Sequence, residues 1–406
     1  MNEDQRCLLT TAIALTSALR LFIATRKEYR QQRVNRRFWM QSSFYNRANT
    51  KETVGKEPRR NEAINDTLSK HVRLSREDFS HLFELLKPRI TKMDTTMRTC
   101  ISPLERLCIT LRFLATGDSY MSLSTLFHIS RQSISKIIPE VCDAIAEVLK
   151  DYVVLPSTNA QWLEVAGEFE QKWNYPHVAG AIDGRHVAII APKNRGAEYF
   201  NHKYFHSIAL LGIVDASYNF MYVDVGCAGS ISDGGGILAK SSIFNNLENG
   251  TLNIPEATIL RPPYEVSVPY MLLGDNTFEL SNYMLTPFEG ATTRNSPESV
   301  FNYRHGRARR TVENAFGILT NVFGVLHKAI ILEPCVAEKI ILATVYLHNY
   351  SLKSNSRDIY MPIGSIDREV DGHIVSGSWR NDMPILSMHP LSEIPQRPAP
   401  VIQRMR

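Results

Sequence analysis

Cysteine is sparse in this chain: six residues in 406, at positions 7, 100, 108, 142, 227 and 335, with no Cys-x-x-Cys pair among them. That spacing excludes a zinc knuckle and a small disulfide framework, and the thiols are read as reduced, in an intracellular protein. A long hydrophobic run is also missing. Residues 8–24 (LLTTAIALTSALRLFIA) are the most apolar stretch, but Arg20 interrupts them and too few residues remain for a membrane span. They do not read as a secretory signal either, because Glu3 and Asp4 precede them, Arg26, Lys27 and Arg30 follow, and no small-residue cleavage site is evident. A packing or docking helix is expected there and no membrane partner, with a membrane anchor as the minor alternative. Nor is one sign of charge in large excess: the net charge of +5 permits a nucleic-acid partner without requiring one.

What is present is an ordinary globular composition, 44% apolar and 21% charged. A chain of 406 residues exceeds a single typical core, so two domains with flanking segments are expected. Residues 1–72 read as a basic, flexible segment. Within it Arg26, Lys27, Arg30, Arg33, Arg36 and Arg37 suit phosphate contact or nuclear import, or else a solvated helix face.

Residues 73–172 carry helical spacing. Phe79, Leu82, Phe83 and Leu86 mark one helix closed by Pro88, and Ser102-Pro103 opens another that Gly117 stops. Next, Ser122–Ser130 and Arg131–Ile138 read as a helix-turn-helix. In that motif the second helix offers polar side chains to base edges, here Arg131, Gln132, Ser133, Ser135 and Lys136, while Ile134, Ile137 and Ile138 face inward. A plain helical hairpin in an all-α domain is the alternative.

From residue 173 the period changes. Val178–Ile190, Ser207–Asp215 and Phe220–Gly226 read as strands, with Asp215–Asn219 as hairpin chemistry. Helix follows around Ile237–Leu247, then a strand over Val268–Asp275, then a long helix over Tyr303–Leu326. The order β-β-β-α-β-α predicts a ribonuclease H-like α/β domain, a mixed sheet flanked by helices, over residues 173–350. Residues 351–406, with Pro384, Pro390, Pro395, Pro398 and Pro400, read as a flexible tail.

Asp183 is the anomaly in this pattern, a carboxylate set into the apolar run Gly180–Ile190. A strand carboxylate loses its hydration unless hydrogen bonds or a cation replace it, and a strand-end Asp making a turn with Gly184 is the plainer alternative. In the predicted topology Asp183, Asp275 and Glu313 can converge, and three converging carboxylates repel one another unless a divalent cation is present. Oxygen ligands suit Mg²⁺ or Mn²⁺, which can activate a water or a 3′-hydroxyl against a phosphodiester. Arg304, Arg307, Arg309 and Arg310 crowd the start of the same helix and suit phosphate backbone, and an ordinary Arg309–Glu313 pair is the plainer alternative. Asp233, in Gly229-Ser-Ile-Ser-Asp, is a rival metal ligand whose plainer role is a helix N-cap. His186 falls on the strand face opposite Asp183, which points to packing rather than metal ligation.

The segments HVAGAIDGRHVAI, YFNHKYFHSIALLGIVDASYNFMYVDVG, GSISDGG, LLGDNTF, FNYRHGRARRTVENAFGIL and LHN at 347–349 together closely resemble the Harbinger-type (PIF/Harbinger) transposases and their domesticated nuclease relatives. The resemblance covers residues 74–350. It implies a DDE-type nuclease acting on DNA through an acidic triad, which falls on Asp183, Asp275 and Glu313, with Mg²⁺ or Mn²⁺ as cofactor. It further implies nuclear action with a separate Myb-like partner, and it is compatible with a homo-oligomer. One departure from the pattern is Val322-Phe-Gly-Val-Leu, where the family carries a basic residue after the helix. A catalytically silent DNA-binding or scaffolding protein of the same fold is the alternative function.

Overall fold

The structure is a computed structural model that describes residues 73–94, 100–231, 234–260, 265–290, 293, 295–370, 373–380 and 388–391. The segment 1–72, with its basic run, and Asp233 lie outside the described residues.

Helices come first, each started by a side chain that satisfies the open N–H groups of its first turn. Helix α1 is Arg76–Ile90, capped by Ser75, and α2 is Pro103–Thr116, where Ser102 and Glu105 form a reciprocal capping box and Gly117 ends the helix at φ 63°. Pro88, expected to close α1, lies inside its last turn, and Thr91 ends it. After α3 (Tyr120–Phe127), His128 at φ 52° turns the chain and Ser130 caps α4 (Arg131–Val148). Helix α5 is Asn159–Trp173.

The sheet begins with β1 (Val178–Ala188), followed by a short α6 (Gly196–Tyr199), β2 (Ser207–Val214) and β3 (Phe220–Ala228). Asp215 makes the turn between the last two by accepting from the N–H groups of Ser217 and Asn219 at 2.8 and 2.9 Å. The single helix expected around Ile237–Leu247 is two short ones, α7 (Gly234–Lys240) and α8 (Phe244–Glu248). A two-stranded ribbon, β4 (Thr258–Ile259) with β5 (Ser267–Val268), precedes β6 (Met271–Leu273) and β7 (Met284–Leu285). The strand expected over Val268–Asp275 is thus only three residues long, and Asp275 stands just past its end. Helices α9 (Pro297–Val322), α10 (Pro334–Lys353) and α11 (Arg357–Tyr360) follow.

The order across the main sheet is β3-β2-β1-β6-β7, antiparallel through the first three strands, with β6 parallel to both β1 and β7. This is a mixed sheet with helices on both faces, and it fits a ribonuclease H-like fold. On one face α9 and α10 pack on Ala181, Val187, Leu210 and Val214. On the other, Trp162 of α5 and Ile237, Leu238 and Leu247 of α7 and α8 cover Ile182, Leu211 and Ile213. The apolar stripe of α4 (Ile134, Ile137, Ile138, Val141) and residues of α1 and α2 belong to the same core as α10. Residues 73–172 therefore carry no separate core of their own in the unit Arg60–Arg406.

The expected flexible tail is corrected over its described part. Tyr360 is fully buried, β8 (Arg368–Val370) pairs with β9 (His373–Val375), and β10 (Met388–Pro390) pairs antiparallel with β1. These residues find partners far back in the chain, which local composition does not announce.

The LHN segment explains part of that closure. His348 is fully buried between the Tyr360 hydroxyl (Nδ1, 2.8 Å) and the Tyr218 carbonyl (Nε2, 2.9 Å). Burial lowers its pKa from 6.5 to about 4 despite the carbonyl. Folded His348 thus stays neutral where the unfolded chain takes up a proton, so its contribution is present above pH 6.5 and is lost as pH falls toward 4. Lowering the pH from 7.5 to 5 should cost about 2 kcal/mol from this residue, at ~1.4 kcal/mol per unit. His348→Gln should flatten the urea midpoint over that interval, and an equal pH dependence in both proteins would contradict the assignment.

Candidate active site

Strand β1 is eleven residues long and changes partner along its length. Its first half, Val178–Ala181, pairs with β6, whereas Arg185–Val187 pair with β10. Asp183 falls between these two partners, with Gly212 opposite it on β2. Alternation along the strand puts Asp183 and Arg185 on the face covered by α9, and Gly184 and His186 on the other. There a Cβ on Gly184 would collide with the Leu391 side chain, so the absence of one is what lets the end of β10 close down. His186, fully buried, bonds through Nδ1 to the Ser207 hydroxyl at 3.0 Å, which is the packing role expected for it.

Asp183 is only 3% exposed. Its Oδ1 accepts the Gly184 N–H at 2.8 Å, and its Oδ2 lies 3.0 Å from Arg185 Nη2 and 3.8 Å from Arg309 Nη1. Desolvation raises its pKa; the two arginines oppose that rise, while the nearby Asp275 and Glu313 charges add to it. All three expected acids therefore share one electrostatic neighbourhood. Asp275 is set by a local turn, its Oδ1 accepting from the N–H of Thr277 at 3.0 Å and from the Thr277 hydroxyl. Glu313, partly exposed on α9, is bonded by Arg309 one turn earlier and by Arg380 Nη2 at 3.4 Å.

Arg309 is the centre of this cluster. Burial disfavours its charge, yet Asp183, Glu313 and Asp275 outweigh that cost and raise its pKa. Its Nη1 is buried without a hydrogen-bond acceptor. The neighbouring arginines are likewise engaged: Arg307 pairs with Glu369 at 2.9 Å and Arg310 approaches Asp367 at 3.9 Å. On α4, by contrast, Arg131, Gln132, Ser135 and Lys136 are exposed while Ile134, Ile137 and Ile138 are buried.

Among the described residues no three His, Cys, Asp or Glu side chains stand close enough to hold a metal ion. The donor chemistry nevertheless fits a hard divalent cation, since the three acids offer carboxylate oxygens and Arg309 bridges two of them with positive charge. Asp183, Asp275, Glu313 and Asp367 are balanced by Arg185, Arg309, Arg310 and Arg380, four charges of each sign. The cluster thus carries no net charge of its own, and added divalent charge would give it one that attracts a phosphodiester.

Sequence reasoning missed Arg185, Asn314, Asp367, Trp379 and Arg380. Arg185 was findable, because it lies two residues from Asp183 and so on the same strand face. The last three were not, because their partners lie more than ten residues away.

Residues 182–349 match the family described as DDE superfamily endonuclease. The rat protein named "Putative nuclease HARBI1" is 28% identical over 309 residues, covering 73% of this chain and 81% of its own. Its human counterpart is 28% identical over 281 residues, covering 68% and 75%. "Protein ALP1-like" of Arabidopsis thaliana is 24% identical over 275 residues, covering 64% of each chain. No solved structure matches. With the mixed sheet and its flanking helices, these matches make residues 182–349 similar to the DDE superfamily endonuclease family and the chain a homologue of the proteins named HARBI1 and ALP1-like.

Proposed function

We propose that this chain is a divalent-metal-dependent nuclease or strand transferase acting on DNA phosphodiester bonds, with Asp183, Asp275 and Glu313 as metal ligands. The observation that carries the reading is Asp183, a buried carboxylate on β1 that faces Glu313 through a bridging guanidinium. When bound, Mg²⁺ or Mn²⁺ activates a water or 3′-hydroxyl and offsets charge on the leaving oxygen. Asp183 is held for that role by the Gly184 N–H, and Asp275 by Thr277. Arg309 neutralises Asp183 and Glu313 in the absence of a cation. Asp233 stands as a further candidate ligand.

The test is incubation of supercoiled and linear duplex DNA with the full chain in Mg²⁺ or Mn²⁺. Nicking or end joining that stops on chelation supports the proposal; intact DNA under all conditions overturns it. A second reading, a DNA-binding scaffold that has given up turnover, draws on the same Arg309 bridge, which satisfies the carboxylates without a metal.

The exposed polar face of α4 suits duplex DNA. Replacing Arg131 and Lys136 with Ala should weaken duplex binding and lower the salt slope by about 0.9 for each phosphate no longer neutralised. An unchanged slope would reassign that face to a protein partner, for which a Myb-like protein is the candidate. The basic run from Arg26 to Arg37 is proposed to serve nuclear entry. No helix among the described residues is long and apolar enough to cross a membrane.

A further inference from the structure

Arg307, Arg309 and Arg310 of α9 are spent on carboxylates, and Val322–Leu326 beyond them is apolar, with Phe323, Val325 and Leu326 buried. A different guanidinium is built into the site from the C-terminal segment. Asp367, 2% exposed, accepts Arg380 Nε at 2.9 Å on each of its oxygens and Arg380 Nη2 at 2.6 Å. Burial alone would raise the Asp367 carboxyl, but the bonds from Arg380 and the Gly377 N–H, with the charge of Arg310, lower it instead. The pair is therefore ionised at neutral pH and fixed along one edge of the guanidinium.

Trp379 secures the other side. The Arg380 guanidinium lies 4.2 Å from the centre of its ring, and the indole Nε1 donates to Asn314 Oδ1 at 3.1 Å. The ring seats on α9 at Gly317, where a Cβ would collide with it. Asn314 Oδ1 also accepts the Asp367 N–H at 3.2 Å, so one turn of α9, from Glu313 to Gly317, anchors the whole segment.

The result is an arginine held rigidly beside Glu313, yet with 38% of its side chain exposed. Its Nη1 makes no bond among the described residues, because Nε and Nη2 make all of the bonds to Asp367 and Glu313. A guanidinium whose rotamers are already fixed loses little entropy on binding an oxyanion, and its planar fork suits phosphate. We propose that Arg380 binds a non-bridging phosphate oxygen of DNA next to the nuclease site, with Asp367 and Trp379 as its positioning residues. This rests on the nuclease reading for the identity of the site, but its test does not need turnover.

Duplex binding by the full chain is measured in EDTA as a function of NaCl, for wild type, Arg380→Ala, Arg380→Gln and Arg380→Lys, with thermal stability alongside. Removing the charge that neutralises one phosphate lowers the slope of log K against log salt by about 0.9 in the Ala and Gln variants, while Lys keeps the slope and binds more weakly than Arg. Gln retains an amide donor for Asp367 and serves if Ala does not fold. A wild-type slope in the neutral variants, with or without lower stability, overturns the proposal and leaves Arg380 as a fastener of the segment to α9. Absence of duplex binding by wild type overturns it too. Failure to cleave DNA in Mn²⁺ would sink the nuclease reading alone.

Discussion

Glu313→Gln is expected to reduce metal-dependent DNA cleavage by about three orders of magnitude while leaving the fold intact. The size follows from the several kcal/mol that a metal contributes to transition-state charge, at about 1.4 kcal/mol per factor of ten. The choice of glutamine matters. Glu313 is paired with Arg309 and Arg380, and the amide keeps an acceptor oxygen for them while removing the charge a cation requires. Asp183→Ala is a poorer probe, because it leaves Arg185 and Arg309, at 13% and 18% exposure, without their shared acid. Breaking such a pair costs about 3–5 kcal/mol, so reduced activity there would mix chemistry with unfolding. The check is plasmid nicking in Mn²⁺ together with a melting curve. Activity of Glu313→Gln within tenfold of wild type would remove Glu313 from the metal site.

Asn349→Ala should be among the most destabilising single changes in the chain. Asn349 is fully buried on α10, and its side chain makes three bonds to backbone. Its Oδ1 accepts the Phe220 N–H at 2.9 Å, and its Nδ2 donates to the Phe220 and Tyr152 carbonyls, each at 2.7 Å. These bonds satisfy the first residue of β3 and the chain just after α4 from one helix. Alanine strands the two buried Phe220 groups at about 1–3 kcal/mol each before relaxation and takes one donor from the Tyr152 carbonyl, which Lys353 Nζ still reaches at 3.1 Å, for a net loss of about 3–5 kcal/mol. At about 2–4 °C per kcal/mol, the melting temperature falls by roughly 10 °C. A loss below about 1 kcal/mol would mean that water reaches these groups and that the LHN segment is not a structural clasp.

Much of the fold is visible in the sequence because it rests on local period. The change from helical spacing to strands after residue 173, the hairpin at Asp215 and the apolar stripe of α9 are each encoded within about a dozen residues. The pairing of β1 with β6 follows from the topology once the element order is read. The length of β6 is less legible: Pro269 cannot donate to a ladder, and Asp275 turns back on Thr277.

The C-terminal segment is the least legible part. Its prolines suggest an open tail, yet β10 pairs with β1 some two hundred positions earlier in the chain. Asp367, Trp379 and Arg380 are held by Asn314, Gly317 and Glu313, residues that announce nothing about the segment when read alone. The triad shows the same division. Asp183 stands out as a carboxylate in an apolar strand, and alternation places Arg185 beside it, but nothing in the local pattern reveals that Arg309 also meets its charge.

Calorimetric titration of Mn²⁺ into the full chain decides whether Asp183, Asp275 and Glu313 hold a metal, with Glu313→Gln, Asp275→Asn and Asp183→Asn beside wild type and Asp233→Ala run in parallel. Wild type should bind saturably, with binding abolished or weakened at least tenfold in each of the three acid variants even though the melting curve of Glu313→Gln is unchanged. Wild-type protein that takes up no metal, with DNA present or absent, would contradict that expectation and leave the Arg309 bridge as the permanent state of a DNA-binding scaffold.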